Sequence, residues 1–126
     1  MTDSLKDKII LIAEDDRSSR LLLKEFLSPS FNTILFAEDG IRAVEIAKSS
    51  KVDLVLMDYK LPNLDGYEAS KQIKEFSDVP VIAQTASILN EDIKKKLNDY
   101  FDAFILKPFN QKDLLDAIYS QLNEGI

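Results

Sequence analysis

Five short apolar runs constrain this chain more than anything else in it. Ile9-Ile10-Leu11-Ile12-Ala13, Ile34-Leu35-Phe36-Ala37, Leu54-Val55-Leu56-Met57, Val79-Pro80-Val81-Ile82-Ala83 and Ala103-Phe104-Ile105-Leu106 contain no polar side chain. A half-exposed strand alternates apolar with polar residues. A run without alternation marks a strand buried on both faces, as in a parallel sheet covered by helices. The intervals between the runs carry the other period. Leu21, Leu22, Leu23, Phe26 and Leu27 recur at helical spacing until Ser28-Pro29 stops them. Asp39-Gly40 starts a helix expected to turn Ile41, Val44 and Ala47 inward. Asp65-Gly66-Tyr67-Glu68 has the spacing of a capping box, with Asp65 at the N-cap, and predicts burial of Ala69, Ile73 and Phe76 behind it. Asn90 is expected to cap a helix with Ile93, Leu97 and Phe101 inward. Asn110, with Asp113 three residues on, opens a last helix bearing Leu114, Leu115, Ile118 and Leu122. Five strands alternating with five helices predict an α/β fold, a doubly wound parallel sheet with right-handed crossovers. A chain of 126 residues suits one domain spanning 1–126.

Composition removes several chemistries. There is no cysteine, hence no disulfide framework and no thiolate chemistry, and no histidine, hence no imidazole base, ligand or phosphohistidine. A net charge of −6 argues against non-specific nucleic-acid binding, which needs Lys and Arg to neutralise phosphates. Met1 to Lys8 is polar and shows no secretory signal. The apolar runs are far shorter than the ~20 residues a membrane span needs. A soluble cytoplasmic domain without membrane partners is expected. Lys94-Lys95-Lys96 is short, lies mid-helix and reads as a solvated helix face.

In an open parallel sheet, ligands bind beyond the carboxyl ends of the strands. Those ends release Glu14 and Asp15 after the first strand, Asp58 after the third, Thr85 after the fourth and Lys107 after the fifth. Glu38 and Asp39 leave the second and suit a helix start, as Asp16 does after the first. Three carboxylates in a partly dry crevice repel one another unless a cation sits among them. Oxygen ligands without His or Cys suit a hard ion such as Mg²⁺. A lysine can hold a phosphate as a point charge, and a carboxylate can accept a phosphoryl group covalently.

These residues, in order and each at a strand end, resemble the receiver domain of bacterial two-component response regulators. The resemblance rests on Glu14-Asp15, Asp58 with Leu61-Pro62 and Asp65-Gly66, Thr85-Ala86, and Lys107-Pro108-Phe109, and covers Lys8 to about Leu122. It implies a flavodoxin-like five-stranded sheet in the order 2-1-3-4-5 with five helices. It implies that Asp58 is the phosphoacceptor and that Mg²⁺ is the cofactor. Asp15 and Asp58 would bind the metal directly, Glu14 mainly through water, and Lys60 through its backbone carbonyl. Lys107 would bond the acceptor or its phosphoryl group. Thr85 would move toward the phosphoryl oxygen, and Phe104 would swing inward behind it. The Lys107-Pro108 bond would be cis. The implied function is a phosphorylation-dependent switch, regulatory rather than enzymatic, loaded by a histidine kinase or a histidine phosphotransfer protein. A change in the fourth helix, fifth strand and fifth helix would then be read by a downstream protein. No output region follows Leu122, so a stand-alone receiver is expected, or a part of a larger regulator or a relay receiver of a hybrid histidine kinase.

Two departures stand out. The family's common glycine before the fifth strand is absent from Asp99-Tyr100-Phe101-Asp102-Ala103, so Asn98 is the candidate left-handed helix end, or the helix ends irregularly. Phe104 replaces a commoner tyrosine. Two other functions compete with this one. A Mg²⁺-dependent aspartyl-phosphate phosphatase of the haloacid dehalogenase type carries Asp-x-Asp after its first strand, which Glu14-Asp15-Asp16 does not match. A flavin-binding module needs a Ser/Thr/Gly phosphate loop there, and these three acids would repel a phosphate.

Overall fold

The computed structural model describes residues 5–86 and 91–122. The elements alternate as expected: β1 (Ile9–Ala13), α1 (Arg17–Leu27), β2 (Thr33–Ala37), α2 (Gly40–Ser49), β3 (Leu54–Asp58), α3 (Gly66–Lys74), β4 (Val81–Thr85), α4 (Glu91–Tyr100), β5 (Ala103–Leu106) and α5 (Gln111–Leu122). The five strands form one parallel sheet in the order β2-β1-β3-β4-β5. Successive residues of a strand face opposite sides of the sheet, so two cores form. Leu11, Val55, Met57, Val81 and Ala83 pack with Ile73 and Leu97 on the side of α2, α3 and α4. Ile10, Ile12, Leu54, Leu56 and Ile82 pack with Leu23, Leu27, Leu114 and Ile118 on the side of α1 and α5.

Polar side chains start the helices where the sequence places them. Asp16, Asp39 and Asp65 are N-caps, accepting from the backbone N–H of Ser19, Arg42 and Glu68 at 2.8, 2.7 and 2.8 Å. Asn110 accepts from Asp113 N–H at 2.8 Å at the start of α5. Asn90 lies outside the described residues.

Several expectations are corrected. β4 begins at Val81, not Val79. Pro80 has no N–H for a ladder, and the Val81 N–H goes to Asp102 Oδ2 at 2.7 Å. β3 and β4 each run further than their apolar runs, so Asp58 and Thr85 are the last residues of their strands. Ile41 is 49% exposed, because the inward face of α2 is set by Gly40, Ala43, Val44 and Ile46. Phe76 is 41% exposed, because α3 ends at Lys74 and the ring lies past it, 5.5 Å beneath the Lys48 ammonium. Leu21 and Leu22 of α1 are also exposed, while Leu23 and Leu27 carry its core contact.

The end of α4 needs no left-handed residue. Asn98 lies inside the helix, and among the described residues Asn63 alone of the non-glycines has positive φ. The fully buried Ser70 of α3 donates its hydroxyl to the Tyr100 carbonyl at 2.5 Å, which satisfies a carbonyl the helix leaves open. Asp102 Oδ2 also accepts from the Lys74 ammonium at 2.6 Å, tying α3 to the approach to β5.

The loop that leaves β3 is fixed against α2. Asn63, at φ 68°, donates its amide to Asp39 Oδ2 at 2.7 Å. Asn tolerates this left-handed conformation better than most residues. Asp39 therefore serves the α2 cap and the β3–α3 loop together. Both bonds, the Arg42 N–H first and the Asn63 amide second, hold its carboxyl below the ordinary aspartate range. A depressed folded-state pKa contributes stability above the unfolded value near 3.9 and loses it as pH falls through the folded value. Asp39→Ala is expected to cost about 1 kcal/mol at pH 7. Urea melts across pH should show the gap between variant and wild type narrowing below about pH 4.

Candidate functional site

Parallel strands bring all their carboxyl ends to one edge of the sheet, and the charged residues of the sequence collect there. β1 and β4 flank β3. Glu14 stands two residues past Ile12, Asp58 two past Leu56 and Gln84 two past Ile82, so these three continue rows that pack toward α1 and α5. Lys107 follows β5 and reaches back. Its ammonium donates to Asp58 Oδ2 at 2.9 Å and to Glu14 Oε1 at 3.4 Å. Glu14 and Asp58 are 1% and 7% exposed.

Each buried carboxylate has further donors. Glu14 Oε2 accepts from the Asp16 N–H at 3.1 Å, and Oε1 from the Gln84 amide at 3.1 Å. Asp58 Oδ1 accepts from the Lys60 N–H at 3.2 Å. The Arg20 guanidinium donates to the Glu14 carbonyl at 2.9 Å and so pins the end of β1. Burial pushes the Glu14 carboxyl above the ordinary range, and the Asp58 charge adds to it, against the Asp16 N–H and the Lys107 charge. Burial alone would lower Lys107. The bond to Asp58 and the charges of Asp58 and Glu14 outweigh it and hold the ammonium above its ordinary value. Lys107 thus stays protonated across the physiological range.

Asp15 is exposed, and one oxygen each of Glu14, Asp15 and Asp58 lie within 4.8 Å of one another. Carboxylate oxygens this close suit a hard divalent cation, and the cluster could hold a metal ion. Thr85, Lys60 and Ala86 line a cavity of about 240 Å³ with Asp58 and Lys107. Six of the seven expected site residues therefore share one crevice. Phe104 does not. It lies on β5 opposite Ala83 of β4, on the same face of the sheet as Thr85, and is 38% exposed. The Lys107-Pro108 peptide is cis.

Three residues contribute to the site in ways not read from the sequence. Gln84 has a legible signal, an amide continuing an apolar run that is buried on both faces. Arg20 has none, since an arginine on an exposed helix is unremarkable in a sequence. Gly66 enters the sequence reading only through its capping box and the family motif, neither of which signals close packing. A Cβ there would lie 2.0 Å from the Asp58 carbonyl oxygen, and the Gly66 N–H donates to the Tyr59 carbonyl at 2.9 Å. The start of α3 is thus packed directly on the backbone that carries Asp58.

Fold and site define a doubly wound α/β domain with an acidic, lysine-bridged crevice at the carboxyl edge of its sheet. The family model of the response regulator receiver domain matches residues 10–119, and the chain belongs to that family. It is 39% identical over 112 residues to the chemotaxis protein CheY of Halobacterium salinarum, covering 88% of this chain and 93% of that protein. It is 34% identical over 118 residues to transcription factor SKN7 of Saccharomyces cerevisiae, covering 93% of this chain but only 19% of that much longer protein. The receiver domain of a sensor histidine kinase of Pseudomonas aeruginosa, solved with a magnesium ion in its active-site cleft, superposes with a TM-score of 0.85. That pair is 30% identical, over 92% of this chain and 98% of that one. Among the described residues no helix is long and apolar enough to cross a membrane.

Gly66→Ala tests the close approach at β3. The added methyl meets backbone, so the loop or the strand end must move, at a cost of about 1–3 kcal/mol. A thermal melt should show lower stability, and amide shifts of Tyr59 and Lys60 should move. An unshifted melting temperature with unmoved amides would show that the approach is not tight.

Proposed function

We propose that this domain is a phosphorylation-dependent switch in two-component signalling, with Asp58 as the phosphoacceptor. The observation that carries the reading is the Lys107 ammonium 2.9 Å from Asp58 Oδ2, beside the acid cluster of Glu14, Asp15 and Asp58. A donor's phosphohistidine, on a kinase or a phosphotransfer protein, presents its phosphorus to the crevice. An Asp58 carboxylate oxygen attacks. The O–P bond forms as the P–N bond breaks, and the electron pair leaves on the imidazole nitrogen. Phosphoryl transfer asks mainly for positioning and charge neutralisation. Lys107 supplies a cation to the acceptor before transfer and to the phosphoryl oxygens after it. Asp15, Asp58 and the Lys60 carbonyl would hold Mg²⁺ directly, and Glu14 through water. The ion would add positive charge beside the phosphoryl oxygens when bound.

The switch follows from the same crevice. Thr85 lines the cavity with Asp58, and a charge-assisted hydrogen bond from its hydroxyl to a phosphoryl oxygen would be worth roughly 1.5–3 kcal/mol. That suffices to shift a two-state equilibrium about tenfold or more. Thr85 moving toward the phosphoryl group vacates space on its own face of the sheet, where Phe104 is placed to enter. The surface that changes is α4, β5 and α5, available to a downstream protein partner. The role is regulatory, and the domain acts on its own acceptor rather than on a passing substrate.

Asp58→Asn keeps the shape and removes the nucleophile. With acetyl phosphate and Mg²⁺, intact mass should show one added phosphoryl group on the wild type and none on Asp58→Asn. Asp15→Ala should bind Mg²⁺ far more weakly and load very slowly. Equal modification of Asp58→Asn would falsify the assignment of the acceptor.

The switch has its own test. Beryllofluoride imitates an aspartyl phosphate, and adding it should move amide signals of 91–122 beyond the active-site loops. Thr85→Ala should suppress that response. If the surface stays unchanged while the site is loaded, the domain passes phosphoryl groups along as a relay receiver and does not switch.

A further inference from the structure

Gln84 sits in the crevice without being one of the acids, the hydroxyl or the lysine. It is 1% exposed, on β4, directly opposite Asp58 in the sheet. Its side-chain amide crosses β3 to donate to Glu14 Oε1 at 3.1 Å. The same oxygen accepts from Lys107 at the longer distance of 3.4 Å, while Lys107 lies 2.9 Å from Asp58 Oδ2. Two buried carboxylates therefore compete for one ammonium, and the division is unequal. A buried carboxylate takes the strongest donors within reach, because an unmet lone pair there is costly. Glu14 is the more buried of the two, so burial by itself would favour Glu14 as the closer partner. The observed preference runs the other way: Glu14 has two neutral donors, the Asp16 N–H on Oε2 and the Gln84 amide on Oε1, against the Lys60 N–H on Asp58, and of the two only the Gln84 amide shares its oxygen with Lys107.

We propose that Gln84 is a positioning residue: by supplying a neutral donor to Glu14, it releases the Lys107 ammonium to serve Asp58. The inference rests on the phosphoacceptor reading above. Lys107 has room to respond, since a cavity of about 370 Å³ borders Glu14, Gln84 and Lys107. Removing the amide leaves Glu14 Oε1 with Lys107 alone. The ammonium then closes on Glu14 and withdraws from Asp58.

Gln84→Met removes the donor and keeps length and a strand-compatible apolar stem. Gln84→Asn keeps an amide too short to cross β3 and guards against an effect of polarity alone. Crystal structures of wild type and both variants without metal should show Lys107 nearer Asp58 in the first and nearer Glu14 in the variants. Loading from acetyl phosphate at saturating Mg²⁺ should slow about tenfold, since a misplacement of about 1 Å near a reacting atom can cost a hundredfold. In a Glu14→Ala background, Gln84→Met should slow loading no further, because the residue acts through Glu14. The proposal is overturned if Lys107 stays nearer Asp58 in the variants, or if Gln84→Met costs the same factor with and without Glu14. A wild type that takes no phosphoryl group at Asp58 would sink the functional reading instead. The crystallographic comparison would still decide where Gln84 sends the lysine.

Discussion

One ammonium shared by two buried carboxylates is the interaction on which the rest depends. Desolvating a carboxylate costs several kcal/mol even after relaxation, and Glu14 and Asp58 are both nearly inaccessible. Lys107 meets them from sequence separations of 93 and 49 residues. No local turn can bring such distant residues together. A parallel sheet does, because every strand delivers its next residue to the same edge. The continuous apolar runs, the helices that cover them and the crossovers that keep the strands parallel are the scaffold of that convergence. The concentration of negative charge at the edge opposes stability, which is the pattern expected where a fold gives up local consistency for function.

The two-residue period of the strands divides the site between two faces. Ile12, Leu56 and Ile82 pack toward α1 and α5, and the residues two further on are Glu14, Asp58 and Gln84. Charge balance is therefore organised above the α1–α5 core. Ala83 and Thr85 face the other way, and the sheet register sets Phe104 and Leu106 beside them. The groups assigned to switching thus share the α4 side. The groups that fix charge and the side chains assigned to switching thus lie on opposite faces of the sheet, while Asp58 lines one cavity with both Lys107 and Thr85.

The architecture was legible because burial on both faces leaves no alternation, as in β1, β3 and β4; the edge strands β2 and β5 carry equally apolar runs although they stay partly exposed, and five runs separated by helical periods admit few folds. The caps were equally legible, since Asp16, Asp39, Asp65 and Asn110 act through neighbours three residues away. What failed was the outer boundary of burial. Ile41 and Phe76 are apolar and near the right phase, but exposure is decided by where α2 turns its small residues and where α3 stops. At the close of α4 the Asn98 alternative fails and the irregular end stands, with a chemistry the local sequence does not show. A buried serine thirty residues earlier does locally what a glycine would do, and only the packing of α3 on α4 reveals it. Strand-end residues were found by type, yet their division of labour was not, because Gln84 and Arg20 matter through the atoms they reach.

In the proposed switch, Phe104 would be the side chain held in reserve. The ring is 38% exposed on an edge strand, and Leu106 beside it is 44% exposed. Burying the exposed part of such a ring would gain about 1.5–2 kcal/mol at roughly 25 cal/mol per Å². That gain is close to the value of the one hydrogen bond Thr85 would make to a phosphoryl oxygen. An apolar ring leaves no hydrogen bond behind when it moves, so hydroxyl loss does not oppose the inward state. What opposes it is volume, because a close-packed interior does not admit a ring until something leaves. Thr85 is 5% exposed on that same face. In the proposed mechanism the phosphoryl group therefore need not pull on Phe104 at all. It has only to move a small side chain that stands in the way, and burial of the ring then adds its own free energy to the same transition.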